Sequence, residues 1–150
     1  MSIEYSAAYD LHTALQRIAL SRKIEHAYSV SAVAPENLSQ LNSSATSQMV
    51  VYGDFSDHTI YGKKEDNYLF RAWHDMTHLE LQADTSSNGE HRVAIAQCQE
   101  LERLSGTTLA NWLYADVYGQ VEHYAMYNMF PLEQAKFVHE YLTTGTVVQF

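Results

Sequence analysis

The sequence predicts a mainly α fold, a compact helical bundle of about five helices with a small β-hairpin insertion. Three observations carry this expectation. Apolar residues return at helical spacing in five separate stretches, one short segment has strand character, and only two prolines and six glycines interrupt 150 residues. At roughly 100–200 residues per domain, the length predicts one domain spanning 1–150. Apolar residues at 46% and charged residues at 18% suit a folded core and exclude wholesale disorder.

Residues 6–24 place Leu11, Ala14, Leu15 and Ile18 at the i, i+3, i+4, i+7 spacing of a helix with one apolar face. From Ser29 to Gln48 the chain turns polar and serine-rich, which predicts a long loop carrying one short helical turn near Glu36–Leu41. Met49–Tyr52 and His58–Gly62 read as two strands joined across Gly53-Asp54, the predicted hairpin. Over 67–83 an apolar stripe of Leu69, Ala72, Trp73, Met76, Leu79 and Ala83 predicts a second long helix. Asp84–Gly89 is loop chemistry, and Ser87-x-x-Glu90 matches a capping box for a third helix. That helix runs to about Leu104, with Val93, Ala94, Cys98, Leu101 and Leu104 inward, and Ser105-Gly106 ends it. Thr107 or Thr108 is expected to cap a longer helix to about Asn128, apolar almost all round and therefore central. Pro131 suits the first turn of a last helix to Leu142, stopped near Gly145. The tail Thr146–Phe150 offers a further strand to the hairpin.

Nine Lys+Arg against eighteen Asp+Glu give a formal net charge of −9 at pH 7. The densest basic positions are the pairs Arg22-Lys23 and Lys63-Lys64, so a sequence-independent grip on a nucleic-acid backbone is not expected. An acidic chain can still bind a phosphate through a metal ion, or a basic partner directly. Cys98 is the single cysteine, which excludes an intramolecular disulfide and suits a reducing compartment. Met1–Tyr5 lacks a signal-peptide start, and no apolar run approaches the ~18–20 residues of a membrane span. A cytoplasmic protein without membrane association is expected. Aromatic residues at 12%, eleven of them tyrosines, suit either a homo-oligomer or an aromatic core.

The most informative segment is Arg71-Ala72-Trp73-His74-Asp75-Met76-Thr77-His78. In a helix, positions 71, 74, 75 and 78 share a face. Two imidazoles four residues apart can bind one metal ion, because they lie above each other at ligand spacing. The carboxylate of Asp75 adds a hard oxygen donor, which suits Fe, Mn, Zn or Mg. The bland alternative is a solvated polar face with an Arg71–Asp75 pair, against which stand the flanking Phe70, Trp73, Met76 and Leu79.

Asp116 sits in the apolar run Leu109–Tyr118, where an isolated carboxylate is too costly, so a partner or a metal is required. Gln120 and His123 follow on its face, and Gly119 in mid-helix points to close packing. His12, beside Leu15 and Ala19, is either a core-edge histidine or a ligand projecting from the first helix. Glu90 is accounted for as the capping acid and Cys98 as a small core residue. His26, His58, His91 and His139 have no partner that the sequence fixes. There is no GxSxG, P-loop, CxxC or GxGxxG.

The segment Ala72–Leu79 resembles the His-Asp signature of the HD-domain metal-dependent phosphohydrolases, whose helices bring a first His, a His-Asp dyad and a last Asp onto one or two metals. The resemblance implies His74 and Asp75 as the dyad and Asp116 as the final Asp. It implies His78 as the group that handles substrate phosphate or protons. The first His comes from His12, His26 or His58, and Leu11–Leu15 looks like the segment that carries it. The implied cofactor is a divalent metal and the implied substrate a small phosphorylated molecule such as a nucleotide. His78 would act as general acid or base, and Arg71 would meet phosphate charge. His74-x-x-x-His78 is also similar to the HExxH metallopeptidases, with Asp75 in place of their Glu. A third expectation is non-catalytic: an acidic inhibitor or decoy that covers a basic partner surface, with the HxxxH face purely structural.

Overall fold

The computed structural model describes residues 3–24, 27–44 and 48–148. Among these, six helices and two short strands follow in the order α1 (Ile3–Arg22), β1 (Tyr28–Ser31), α2 (Leu38–Ser44), β2 (Met49–Tyr52), α3 (Lys64–Leu81), α4 (Ser87–Ser105), α5 (Thr107–Tyr127) and α6 (Gln134–Thr144). The fold is mainly α, as the periodicity predicts.

One continuous cluster of buried side chains joins the long helices. It takes Leu11, Leu15 and Ile18 from α1, Leu69 and Trp73 from α3, Ala94 and Leu101 from α4, Leu113 from α5 and Phe137 from α6. A fully buried side chain of this size contributes about 1.5–3 kcal/mol. The cluster therefore outweighs any single cap, worth about 1 kcal/mol, in deciding where each helix lies. An ion-pair network adds direction to the packing. Arg22 of α1 reaches Glu100 of α4 and Glu80 of α3, both at 2.7 Å, and Trp73 Nε1 donates to Glu100 at 3.3 Å.

The apolar stripe of α3 is buried at Leu69, Ala72 and Trp73, and the face across from it is not fully solvated: His78 is buried as well, and Arg71, His74 and Asp75 are half-buried. The helix is enclosed because it packs against α1, α2, α4 and β2. It ends at Gln82, whose left-handed backbone (φ 47°) returns its N–H to the carbonyls of His78 and Leu79.

The β element differs from the expected hairpin. β1 lies in the segment read as loop and pairs in parallel with β2, Tyr28 opposite Met49 and Ser31 opposite Tyr52. Parallel strands need a crossover rather than a tight turn, and the polar stretch between them supplies it with α2. Residues 58–62 form no strand. Ile60 and Tyr61 are buried in the core, and His58 O accepts from Ala135 N at 2.8 Å. No strand forms over 146–148, and the rest of that expected strand, Gln149 and Phe150, lies outside the described residues.

The helix termini also shift. Ser86, not Ser87, caps α4: its Oγ accepts from Gly89 N at 3.1 Å. Neither threonine caps α5, since Thr107 is its first residue and donates its hydroxyl to Glu102 at 2.9 Å. Pro131 precedes α6 instead of opening it, and Gly145 stops that helix with φ 69° and its N–H on Tyr141 O. Gly119 lets α5 approach α6 closely, because a Cβ there would lie 3.2 Å from the Phe137 ring. Among the described residues no helix is long and apolar enough to cross a membrane.

Candidate metal centre

His74 and His78 stand one turn apart on α3, with their Nε2 atoms 3.1 Å apart. Helix α4 brings Glu90 against both. One carboxylate oxygen lies 3.2 Å from His74 Nε2 and the other 3.3 Å from His78 Nε2. An ion with bonds of about 2.0–2.2 Å to nitrogen and oxygen holds neighbouring ligand atoms about 2.9–3.5 Å apart. These three side chains are therefore at ligand spacing and could hold a metal ion.

The distal ring nitrogens are anchored. His78 Nδ1 donates to Ala83 O at 2.9 Å, and His74 Nδ1 lies 2.9 Å from Gln97 Oε1. A carbonyl oxygen only accepts, so each neutral ring carries its proton on Nδ1 and turns an Nε2 lone pair toward Glu90. Histidines that bind metals are oriented in this way. Burial alone would lower the His74 pKa and raise that of Glu90. Their mutual contact prevails, leaving the imidazole raised and the carboxyl lowered.

The chain reversal that creates this arrangement is tight. After Gln82 the backbone turns through Ala83–Ser86 into α4, and a Cβ on Gly89 would fall 1.9 Å from Asp84 O. Only glycine lets the loop close against the first turn of α4 and set Glu90 opposite the two histidines.

The other expected site residues are placed as follows. Asp75 adjoins the cluster without entering it and forms no ion pair with Arg71. Burial pushes its carboxyl up to about 6, with His74 and His78 opposing. Arg71 donates Nη1 to the carbonyls of Tyr52 and, at 2.8 Å, Asp54, and its guanidinium lies over the Tyr52 ring. Burial lowers its pKa below the ordinary value. Asp116 accepts from Tyr61 Oη at 2.9 Å and Gln120 Nε2 at 2.6 Å, and burial pushes it up to about 6 against those two hydrogen bonds.

His12 is not brought to the cluster. Its Nδ1 is 2.8 and 2.9 Å from the two oxygens of Asp66, eight residues before His74 on α3 and so about 12 Å away along the axis. His58 lies 3.8 Å from Glu133, and His26 lies outside the described residues. His123 donates Nδ1 to Met129 O at 2.7 Å and packs edge-on against Phe137.

A cavity of about 510 Å³ opens beside His74, walled by Tyr52, Phe55, Phe70, Met129 and Phe130, with Arg71 as the one lysine or arginine in its lining. A recess of about 170 Å³ extends it to Glu90, and the two share Phe70, His74, Asp116, Gln120 and Phe130. Asp116 thus faces the same space as His74 without joining the cluster.

Glu90 and Gln97 are the residues that sequence reasoning passed over. A signal existed: Glu90, Ala94, Gln97 and Leu101 recur at i, i+4, i+7, i+11 on one stripe of α4, and Ala94 and Leu101 are core residues. Two polar side chains on a core stripe point to a buried polar site. No family model, curated protein or solved structure matches this chain.

Proposed function

We propose that the protein is a metal-dependent hydrolase of phosphate esters, with nucleotides as the leading substrate class. The observation that carries this reading is the convergence of His74 Nε2, His78 Nε2 and the Glu90 carboxylate beside a cavity that holds a single arginine. A divalent ion held by these three groups supplies Lewis acidity and a bound water of lowered pKa. Relative to the HD-domain pattern, Glu90 takes the ligand place that the resemblance gives to Asp75 and Asp116.

The remaining roles follow from which atoms are free. His78 has one nitrogen in the ligand triangle and the other on Ala83 O, so it has none left for acid–base work. Asp75 is the alternative. It is beside the centre, and a carboxyl near 6 exchanges a proton readily at neutral pH. Arg71 has committed Nη1 to backbone carbonyls, which fixes its plane and leaves Nε and Nη2 as donors for an anionic oxygen.

A second reading is favoured by the donor set itself. Two histidines and a glutamate, with Asp75 directly after the first histidine, are similar to the ligands of the HExxH zinc peptidases. One experiment separates the readings. The full chain is stripped with chelator, reloaded singly with Zn, Mn, Fe(II) or Mg, assayed for bound metal, and offered nucleoside tri- and monophosphates, cyclic nucleotides and an unstructured peptide. The expected result is one ion per chain and metal-dependent phosphate release. Peptide cleavage without phosphate release selects the second reading. Well under one ion with every metal overturns both and leaves the acidic binding protein.

A further inference from the structure

We propose that Gln97 is a positioning residue of the metal centre, its buried carboxamide holding His74 in the tautomer whose Nε2 lone pair faces His78 and Glu90. The inference rests on reading the His74–His78–Glu90 cluster as that centre.

Gln97 is 0% exposed, and it shares its stripe of α4 with the fully buried Ala94 and the nearly buried Leu101. Its Oε1 lies 2.9 Å from His74 Nδ1, while its Nε2 has no hydrogen-bond partner among the described residues. A buried donor without an acceptor destabilises the fold, and an aliphatic side chain of similar shape would avoid that penalty. Packing alone therefore does not account for glutamine here. A requirement for one carbonyl oxygen at His74 does.

The two histidines differ in what supports them. His78 Nδ1 has a main-chain acceptor, Ala83 O, which no side-chain substitution removes. His74 has no such acceptor and depends on a side chain from the next helix. A neutral imidazole carries one ring proton, and the acceptor decides which nitrogen holds it. With Oε1 at Nδ1, the proton stays on Nδ1 and Nε2 is open to a cation. With the amide turned over, its N–H would meet Nδ1 and drive the ring proton onto Nε2, into the space between His78 and Glu90. The orphaned amide N–H is then the consequence of keeping the oxygen where it is.

The test compares Q97L, Q97M and Q97E with the wild-type full chain, using zinc affinity by chelator competition and melting of the metal-free protein. A positioning role moves the two readouts in opposite directions. Q97L and Q97M should bind zinc 10–100-fold more weakly, the usual loss when a partner behind a metal-binding histidine is removed. Their metal-free forms should melt no lower than wild type, because the unsatisfied amide is gone and the volume is nearly kept. Q97E, which restores an acceptor, should recover affinity lost in Q97L. A purely structural role gives the reverse, lower melting with unchanged affinity, and overturns the proposal. Wild type that binds zinc no better than Q97L and Q97M overturns it also, while wild type that binds no metal at all removes the centre itself, a distinguishable failure.

Discussion

His74 and His78 present their Nε2 atoms to each other across 3.1 Å, each with its Nδ1 tied to a separate acceptor. Without a metal, a proton on His74 Nε2 is shared with the Glu90 carboxylate, which is why that imidazole is raised and that carboxyl lowered; a cation bound by the three groups would take the proton's place.

Metal binding should therefore raise the melting temperature. At a free ion concentration 100 times the dissociation constant, the gain is about 2.7 kcal/mol, or roughly 5–10 °C for a chain of this size. Glu90→Gln keeps the shape but removes the charge, and it should lose most of the zinc-induced shift in calorimetry. A shift as large as that of wild type would show that Glu90 is not a ligand.

Arg71 lines the cavity, so under the proposed function its role should appear in substrate affinity. Charge-assisted hydrogen bonds contribute about 1.5–3 kcal/mol, which predicts a rise of roughly 10–100-fold in KM for an anionic ester in Arg71→Met. Metal content should be unchanged, because the guanidinium belongs to none of the three ligands. Lower turnover at unchanged KM would place Arg71 outside the contacts made with bound substrate.

The sequence reveals most where the partners are local. The spacing of His74 and His78 on a helix, the helical periodicity of α1 and α3–α6, and the need of Asp116 for a partner are all legible. Glu90 is not, because Ser87-x-x-Glu90 imitates a capping box, whereas the true cap is Ser86. With Ser86 as the cap, the capping-box position three residues on falls to Gly89, and Glu90, still in the first turn, contacts the histidines of α3 instead. The partners furthest away in sequence are hidden altogether. Tyr61, which satisfies Asp116, lies in a stretch with strand-like composition that the core pulls into a turn. Asp66, which takes His12, is 54 residues from it. The parallel pairing of β1 and β2 is likewise non-local, and Tyr28–Ser31 carries no apolar alternation strong enough to announce it.

Asp116 should make stability depend on pH with a definite sign. Its carboxyl rises from 3.8 to about 6 in the fold, chiefly through burial, although Tyr61, Gln120, Arg71 and His74 all favour its charged form. Below 3.8 it is neutral folded and unfolded, and it has no effect. Between 3.8 and 6 the unfolded chain gives up the proton that the folded chain keeps, so stability falls as pH rises, by up to about 3 kcal/mol, and then levels off. Asp116→Asn removes this term. Denaturant titrations from pH 4 to 7.5 should show wild type losing stability relative to the variant up to pH 6. Parallel curves would mean that Asp116 titrates as it does in water.

Gly89 links the fold to the centre, and its replacement should damage both. On helix propensity alone, Gly89→Ala is favourable by up to about 1 kcal/mol. Contact decides otherwise. The new Cβ would lie 1.9 Å from Asp84 O, 2.5 Å from Asp84 Oδ1 and 2.7 Å from Asp84 C, two of which are backbone atoms that cannot swing aside. The loop between α3 and α4 has to move, with Ala83 O, which orients His78, and Ser86, which caps α4. Overpacking of this kind costs about 1–3 kcal/mol, so the variant should melt lower despite its better helix former. Zinc affinity should fall by an order of magnitude or more, although no ligand has changed. Gly106→Ala is the control. Its φ of 88° strains any other residue, yet a Cβ there meets nothing within 4 Å. That variant should lose stability while binding zinc normally. Normal zinc affinity in Gly89→Ala would show that the loop does not orient His78, and that the ligand geometry is set by α3 and α4 alone.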